Sequence, residues 1–152
     1  MLNSDYKDIL LSLSNRKVKF LLVGAYAMAA HGYPRSTMDI DLWVMADPEN
    51  AILILEALED FGTPTGNLSP RDFLKKEMIF QIGVAPRRID VLTSVDGLEF
   101  TEAFNNSEII DIEGISVHVL SVQDLIKNKR VAGRTKDLAD VEALEENNIA
   151  PK

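Results

Sequence analysis

Three acidic side chains carry the clearest chemical signal in the chain: Asp39 and Asp41 in Asp39-Ile40-Asp41-Leu42-Trp43-Val44, and Asp90 in Arg88-Ile89-Asp90-Val91-Leu92. Successive side chains of a strand point to opposite faces. Asp39, Asp41 and Trp43 therefore share one face, and Ile40, Leu42 and Val44 the other. Two carboxylates about 7 Å apart along a strand, backed by an apolar stripe, repel each other. A divalent cation between them relieves that repulsion, and Mg²⁺ prefers hard carboxylate oxygens. For the pair taken alone, a solvated acidic strand face is the alternative. On the second strand Arg88, Asp90 and Leu92 face one way, Ile89 and Val91 the other. If the two strands are neighbours and Ile89 and Val91 enter the core of Ile40, Leu42 and Val44, the pleat sets Asp90 beside Asp39 and Asp41.

The elements that must position these acids follow from local signals. Ser4 is a candidate cap for a helix reaching about Arg16, with Ile9, Leu10 and Leu13 inward. Residues 18–23 form a short apolar run suited to a buried strand. Gly24 ends it, and residues 25–30 favour a helix whose first N–H groups can face a ligand. His31-Gly32 closes that helix, with His31 as a cap or packing residue, and Tyr33-Pro34 prevents continuation. Arg35 then either holds a phosphate or neutralises the acid pair. Trp43 is expected to pack beneath a helix rather than stack on a base.

Asp47-Pro48 starts a further helix, with Ile52, Leu55 and Leu58 inward and Ile54 flanking. Residues 62–71 read as a loop, and residues 77–84 and 87–93 as a hairpin through Ala85-Pro86. A helix over 97–105 follows, then strands over 108–112 and 115–120 around Glu113-Gly114, with His118 structural. Ser121 and Asp124 open a helix to about Ala132, and residues 136–146 form the last, with Leu138, Val141 and Leu144 inward. Alternating helices, strands and hairpins indicate an α/β fold with a mixed sheet flanked by helices, in one domain over 1–152.

Bulk properties narrow the function classes. Zero cysteines exclude disulfides and thiolate chemistry and fit a reducing compartment. The start lacks a secretory pattern and no apolar run matches a bilayer, so a cytoplasmic location and no membrane partner are expected. A net charge of −8 argues against coating duplex DNA. Yet Lys127, Lys129, Arg130, Arg134 and Lys136 cluster within ten positions, which suits a small polyanion, or else a solvated helix face.

Taken in order, Val23-Gly24-Ala25, Arg35-x-Thr37-x-Asp39-Ile40-Asp41-Leu42 and Arg88-Ile89-Asp90-Val91 resemble the nucleotidyltransferase superfamily, the DNA polymerase beta-like group. The tail from Asp124-Leu125-Ile126 through Lys129-Arg130-Val131-Ala132-Gly133-Arg134-Thr135-Lys136-Asp137-Leu138 is similar to that of small bacterial members, including abortive-infection toxin-type and antibiotic-modifying enzymes. The resemblance implies transfer of a nucleoside monophosphate from a nucleoside triphosphate such as ATP to an acceptor hydroxyl, with two Mg²⁺ ions, or Mn²⁺ in their place. It implies Asp39, Asp41 and Asp90 as metal ligands and catalytic groups, Asp90 on the acceptor side. It implies Gly24, Ala25, Arg35, Thr37, Lys129 and Arg134 on the nucleotide, with Asp137 orienting Arg134. The acceptor is a small molecule, an RNA end or a protein, and a homodimer or a partner protein is compatible.

Ala25 departs from the pattern, which often has a hydroxyl donor there; one lost charge-assisted hydrogen bond costs about 1.5–3 kcal/mol. The alternative is therefore a weak or inactive module of the same fold serving a toxin–antitoxin pair or a regulatory partner. A metal-dependent phosphohydrolase ranks below both, since His31 and His118 supply no obvious ligand set.

Overall fold

The computed structural model describes residues 2–34 and 36–148. Its strands form a six-stranded mixed sheet of order β3-β4-β2-β1-β6-β5. These are β1 (Phe20–Val23), β2 (Asp39–Val44), β3 (Ile79–Ile82), β4 (Arg88–Leu92), β5 (Glu108–Ile112) and β6 (Ile115–Val119). The helices are α1 (Ser4–Asn15), α2 (Gly24–Ala30), α3 (Pro48–Phe61), α4 (Phe100–Asn106), α5 (Val122–Ala132) and α6 (Thr135–Asn148). None of these helices is long and apolar enough to cross a membrane.

Burial explains the order. β1 is buried at all four positions, as an unbroken apolar run demands of a central strand. It pairs antiparallel with β2 and parallel with β6, while β3–β4 and β5–β6 are the expected antiparallel hairpins. β4 lies parallel to β2, which makes the sheet mixed and fixes the site. Trp43 is buried against Phe100, with ring centroids 5.2 Å apart at 84°. That edge-to-face contact places it under α4, so it packs beneath a helix as expected, although it shares the strand face of Asp39 and Asp41.

Four local expectations need correction. Asn3, not Ser4, caps α1: its side chain accepts from the Tyr6 N–H, and Tyr6 joins Ile9, Leu10 and Leu13 inside. Glu99 caps α4 by accepting from the Thr101 and Glu102 N–H groups, so that helix begins at Phe100 rather than Gly97. In α3 the buried positions are Asn50, Ala51, Ile54, Ala57 and Leu58, whereas Ile52 is half exposed and Leu55 only partly buried. In α6 Leu138 is exposed, and the inward stripe is Asp137, Asp140, Val141 and Leu144. Both misreadings share one cause. A polar side chain with partners takes a core position, and a search for apolar spacing alone rotates the helix past it.

Asn50 shows what such a residue does. Its amide accepts from the Lys19 N–H at 2.8 Å and donates to the carbonyls of Lys19 and Met45 at 3.0 and 2.9 Å. These bonds tie α3 to the end of the β1–β2 pair that carries Asp39 and Asp41 at its other end. Asn50→Ala removes all three bonds and leaves the Lys19 N–H without its partner, while the Lys19 and Met45 carbonyls still accept from the N–H groups of Met45 and Asp47. It should destabilise the protein by about 1–3 kcal/mol, read from the urea midpoint at unchanged slope.

Candidate active site

The parallel register of β2 on β4 opposes Asp39 to Arg88 and Asp41 to Asp90. Because Ile40, Leu42, Ile89 and Val91 all enter the core, the three acids emerge on the opposite face, as the pleat requires. One carboxylate oxygen from each of Asp39, Asp41 and Asp90 lies within 4.8 Å of the others. Asp90 is only 6% exposed, and Asp39 and Asp41 are half-buried.

Electrostatics make this a site in need of positive charge. Burial, then the neighbouring charges of Asp39 and Asp90, push Asp41 up to about 7; Arg88 opposes that rise. Three acids packed at this separation, with one of them driven toward its neutral form, suit a divalent ion bound through oxygen, because it supplies two charges at one point. The donor set is all carboxylate, the chemistry Mg²⁺ or Mn²⁺ takes.

Gly24 is required here twice over. Its φ of +70° lies in the left-handed region, and a Cβ added to it would sit 2.4 Å from Asp41 Oδ2. Only glycine permits both the turn from β1 into α2 and the close approach of Asp41. Thr37 donates its hydroxyl to Asp39 Oδ1 at 2.8 Å, so in this structure it orients a carboxylate of the triad. Arg35 lies outside the described residues.

Two open cavities meet at Gly24, Asp41, Lys129, Arg134 and Asp137. One, of ≈ 660 Å³, adds Ala25, Ser36, Thr37, Asp39, Asp90 and Lys136. The other, of ≈ 790 Å³, extends over β3 and β4 between Glu77, Met78, Ile79, Val95 and Asp96. Thus Gly24, Ala25, Thr37, Lys129 and Arg134 do converge with the three acids.

The basic cluster behaves differently from a free cationic patch. Lys129 Nζ lies 3.0 Å from Asp140 and 3.8 Å from Asp137, and Arg134 Nε lies 2.6 Å from Asp137. Arg134 holds the Asp137 carboxyl below the usual range. Arg130 pairs with Glu145, away from the cavities. The two buried acids of α6 therefore fix the aim of Lys129 and Arg134, and Asp137 orients Arg134 as expected. Asp140 was missed because its place in the helix stripe reads as polar and outward.

The second omission was Arg88. Its Nη2 lies 2.7 Å from Asp39 Oδ2 and 3.2 Å from Asp90 Oδ2, and its Nε 3.0 Å from Asp90 Oδ1. Strand alternation already placed it on the acid face, two positions before Asp90. Both histidines are structural: His31 donates from Nε2 to the Leu120 carbonyl at 2.8 Å, and His118 stacks on Phe104 with burial lowering its pKa.

The sheet and its acid-bearing strands define a nucleotidyltransferase fold. The chain belongs to a family described as "Nucleotidyltransferase of unknown function (DUF6036)", whose model matches residues 2–147. A crystal structure of a Thermotoga maritima protein assigned as a nucleotidyltransferase is similar, at 19% identity and TM-score 0.58, covering 96% of this chain and 94% of that one. So is ANT(2'')-Ia, crystallised with adenylyl-2''-tobramycin, at 16% identity and TM-score 0.59, over 95% and 87% of the two chains. The solution structure of ANT(2'')-Ia, described as an antibiotic-resistance factor, gives 17% identity and TM-score 0.57, over 95% and 82%. No curated protein matches the sequence.

The raised Asp41 pKa has a defined sign. A carboxyl that holds its proton more tightly when folded contributes stability that is complete below about 3.8 and lost as pH rises to about 7. In metal-free protein the stability of wild type relative to Asp41→Asn should therefore fall steadily from pH 4 to 7 and level off above; a flat difference contradicts the crowding of charge. Gly24→Ala should cost at least about 1–2 kcal/mol from the left-handed backbone alone, with a further loss from displacing Asp41, measured by thermal unfolding.

Proposed function

We propose that the protein is a Mg²⁺-dependent nucleotidyltransferase that moves a nucleoside monophosphate from a nucleoside triphosphate to an acceptor hydroxyl. The observation that carries this reading is the meeting of Asp39, Asp41 and Asp90 in one cavity with Lys129 and Arg134, where Asp41 also borders a second cavity. Asp39 and Asp41 would hold the catalytic ions, with Asp90 on the acceptor side. Bound there, the metal supplies charge to the entering and leaving oxygens of an in-line displacement.

The protein's own groups account for the remaining requirements. The cavity with Ala25, Ser36, Thr37 and Lys136 takes the triphosphate, where backbone N–H groups beyond Gly24 replace the hydroxyl that Ala25 lacks. Lys129 and Arg134, aimed by Asp137 and Asp140, offset the charge that grows on the departing pyrophosphate. The acceptor oxygen bonds to the α-phosphorus as the α–β bridging bond breaks, and its proton passes to Asp90. The larger cavity, with Glu77 and Asp96 beside the apolar Met78, Ile79 and Val95, receives the rest of the acceptor or the nucleoside. ANT(2'')-Ia, whose structure holds an adenylylated aminoglycoside, makes small hydroxylated molecules the first acceptors to try, with RNA ends and proteins next.

The test is incubation with labelled nucleoside triphosphates and a panel of such acceptors. Transfer should depend on Mg²⁺ and fall about a hundredfold to a thousandfold in Asp41→Asn. Transfer that survives this substitution refutes the assigned role. Nucleotide binding without turnover on any acceptor would favour the partner-binding module, a reading that rests on the missing hydroxyl at Ala25.

A further inference from the structure

Arg88 is hydrogen-bonded to two of the three acids that could hold a metal. It engages both oxygens of Asp90 and one of Asp39, and Thr37 takes the other oxygen of Asp39. The register sets this up, since Arg88 is the cross-strand neighbour of Asp39 and lies two positions from Asp90 on the same face. One guanidinium carries one charge against three carboxylates, so the compensation is partial. The Arg88 side chain is 36% exposed, which leaves solvent for it to move into.

We propose that Arg88 is a resident counter-ion that competes with divalent metal for Asp39 and Asp90 and must release them as the site is loaded. This rests on the metal-binding reading of the triad and adds a positioning residue to it. A planar fork satisfies two carboxylates at fixed spacing, so it holds the acids in place in the metal-free protein. A metal that ligates those carboxylates draws on the same negative charge that Arg88 pairs with, so the two cations compete even though each oxygen has a second lone pair. Asp41, which Arg88 does not bridge, is the carboxylate through which loading begins. The arrangement makes metal occupancy of the Asp90 side depend on release of a protein cation, which tempers the affinity of the empty enzyme for stray divalent ions.

The test uses nucleotide-free full-length protein. Mn²⁺ affinity is measured by the electron-paramagnetic signal of the free ion for wild type, Arg88→Met and Asp41→Asn. With the competitor removed, Arg88→Met should bind Mn²⁺ about tenfold more tightly, the equivalent of one lost charge-assisted contact. In the wild type, the Arg88 Nε–H resonance, assigned by its absence from Arg88→Lys, should shift on addition of diamagnetic Mg²⁺. Equal or weaker binding by Arg88→Met overturns the proposal and makes Arg88 an organiser of the ligands instead. Should Arg88→Met fail to fold, an Nε–H resonance unmoved by saturating Mg²⁺ overturns it alone. Metal binding that Asp41→Asn abolishes while Arg88→Met leaves it unchanged spares the metal site and rejects only the competition. No Mn²⁺ binding to any form takes down both.

Discussion

The structure turns on mutual repulsion among three carboxylates held on one face of a sheet. The parallel pairing of β2 with β4 sets Asp41 opposite Asp90, and the apolar residues between the acids lock that register from behind. A shift by one residue would bury the acids and expose Ile40, Leu42, Ile89 and Val91, a far larger cost than the repulsion itself. The core therefore forces the acids together. Their neighbourhood then shows what this requires: a glycine at position 24 to make room, a hydroxyl at Thr37, and the fork of Arg88 as a partial neutraliser.

A second layer repeats the pattern with the signs reversed. Lys129 and Arg134 face the cavities from α5 and the turn after it, and α6 supplies Asp137 and Asp140 from beneath. Buried acids are costly without partners, so this pair belongs with the cations it orients. The outcome is positive charge directed at the acid site and largely neutralised on its far side.

Much of this was legible in the residues. The alternation in Asp39-Ile40-Asp41-Leu42 and Ile89-Asp90-Val91 determined which faces the acids take, because a two-residue period admits no other solution once the apolar set is buried. The hairpins, the Asp47 and Ser121 caps and the order of elements followed from turn and capping chemistry acting over a few residues. Helix phase was less legible. Asn50 and Asp140 sit on inward faces because of partners distant in sequence, Lys19 and Lys129, and apolar spacing carries no information about those. Arg88 stood on the correct face from the start. Its partnership with Asp39 depended on a strand neighbour that the alternation could suggest but not establish.

The central claim is that the three acids form one divalent-ion site. Its most direct test is a crystal soaked with Mn²⁺ and a non-hydrolysable nucleoside triphosphate, examined by anomalous scattering. The account predicts manganese at about 2.1 Å from oxygens of Asp39 and Asp41, with Asp90 turned toward the same centre and away from Arg88. Manganese bound elsewhere, or a triphosphate seated with no metal while Arg88 still clasps Asp39 and Asp90, would contradict it.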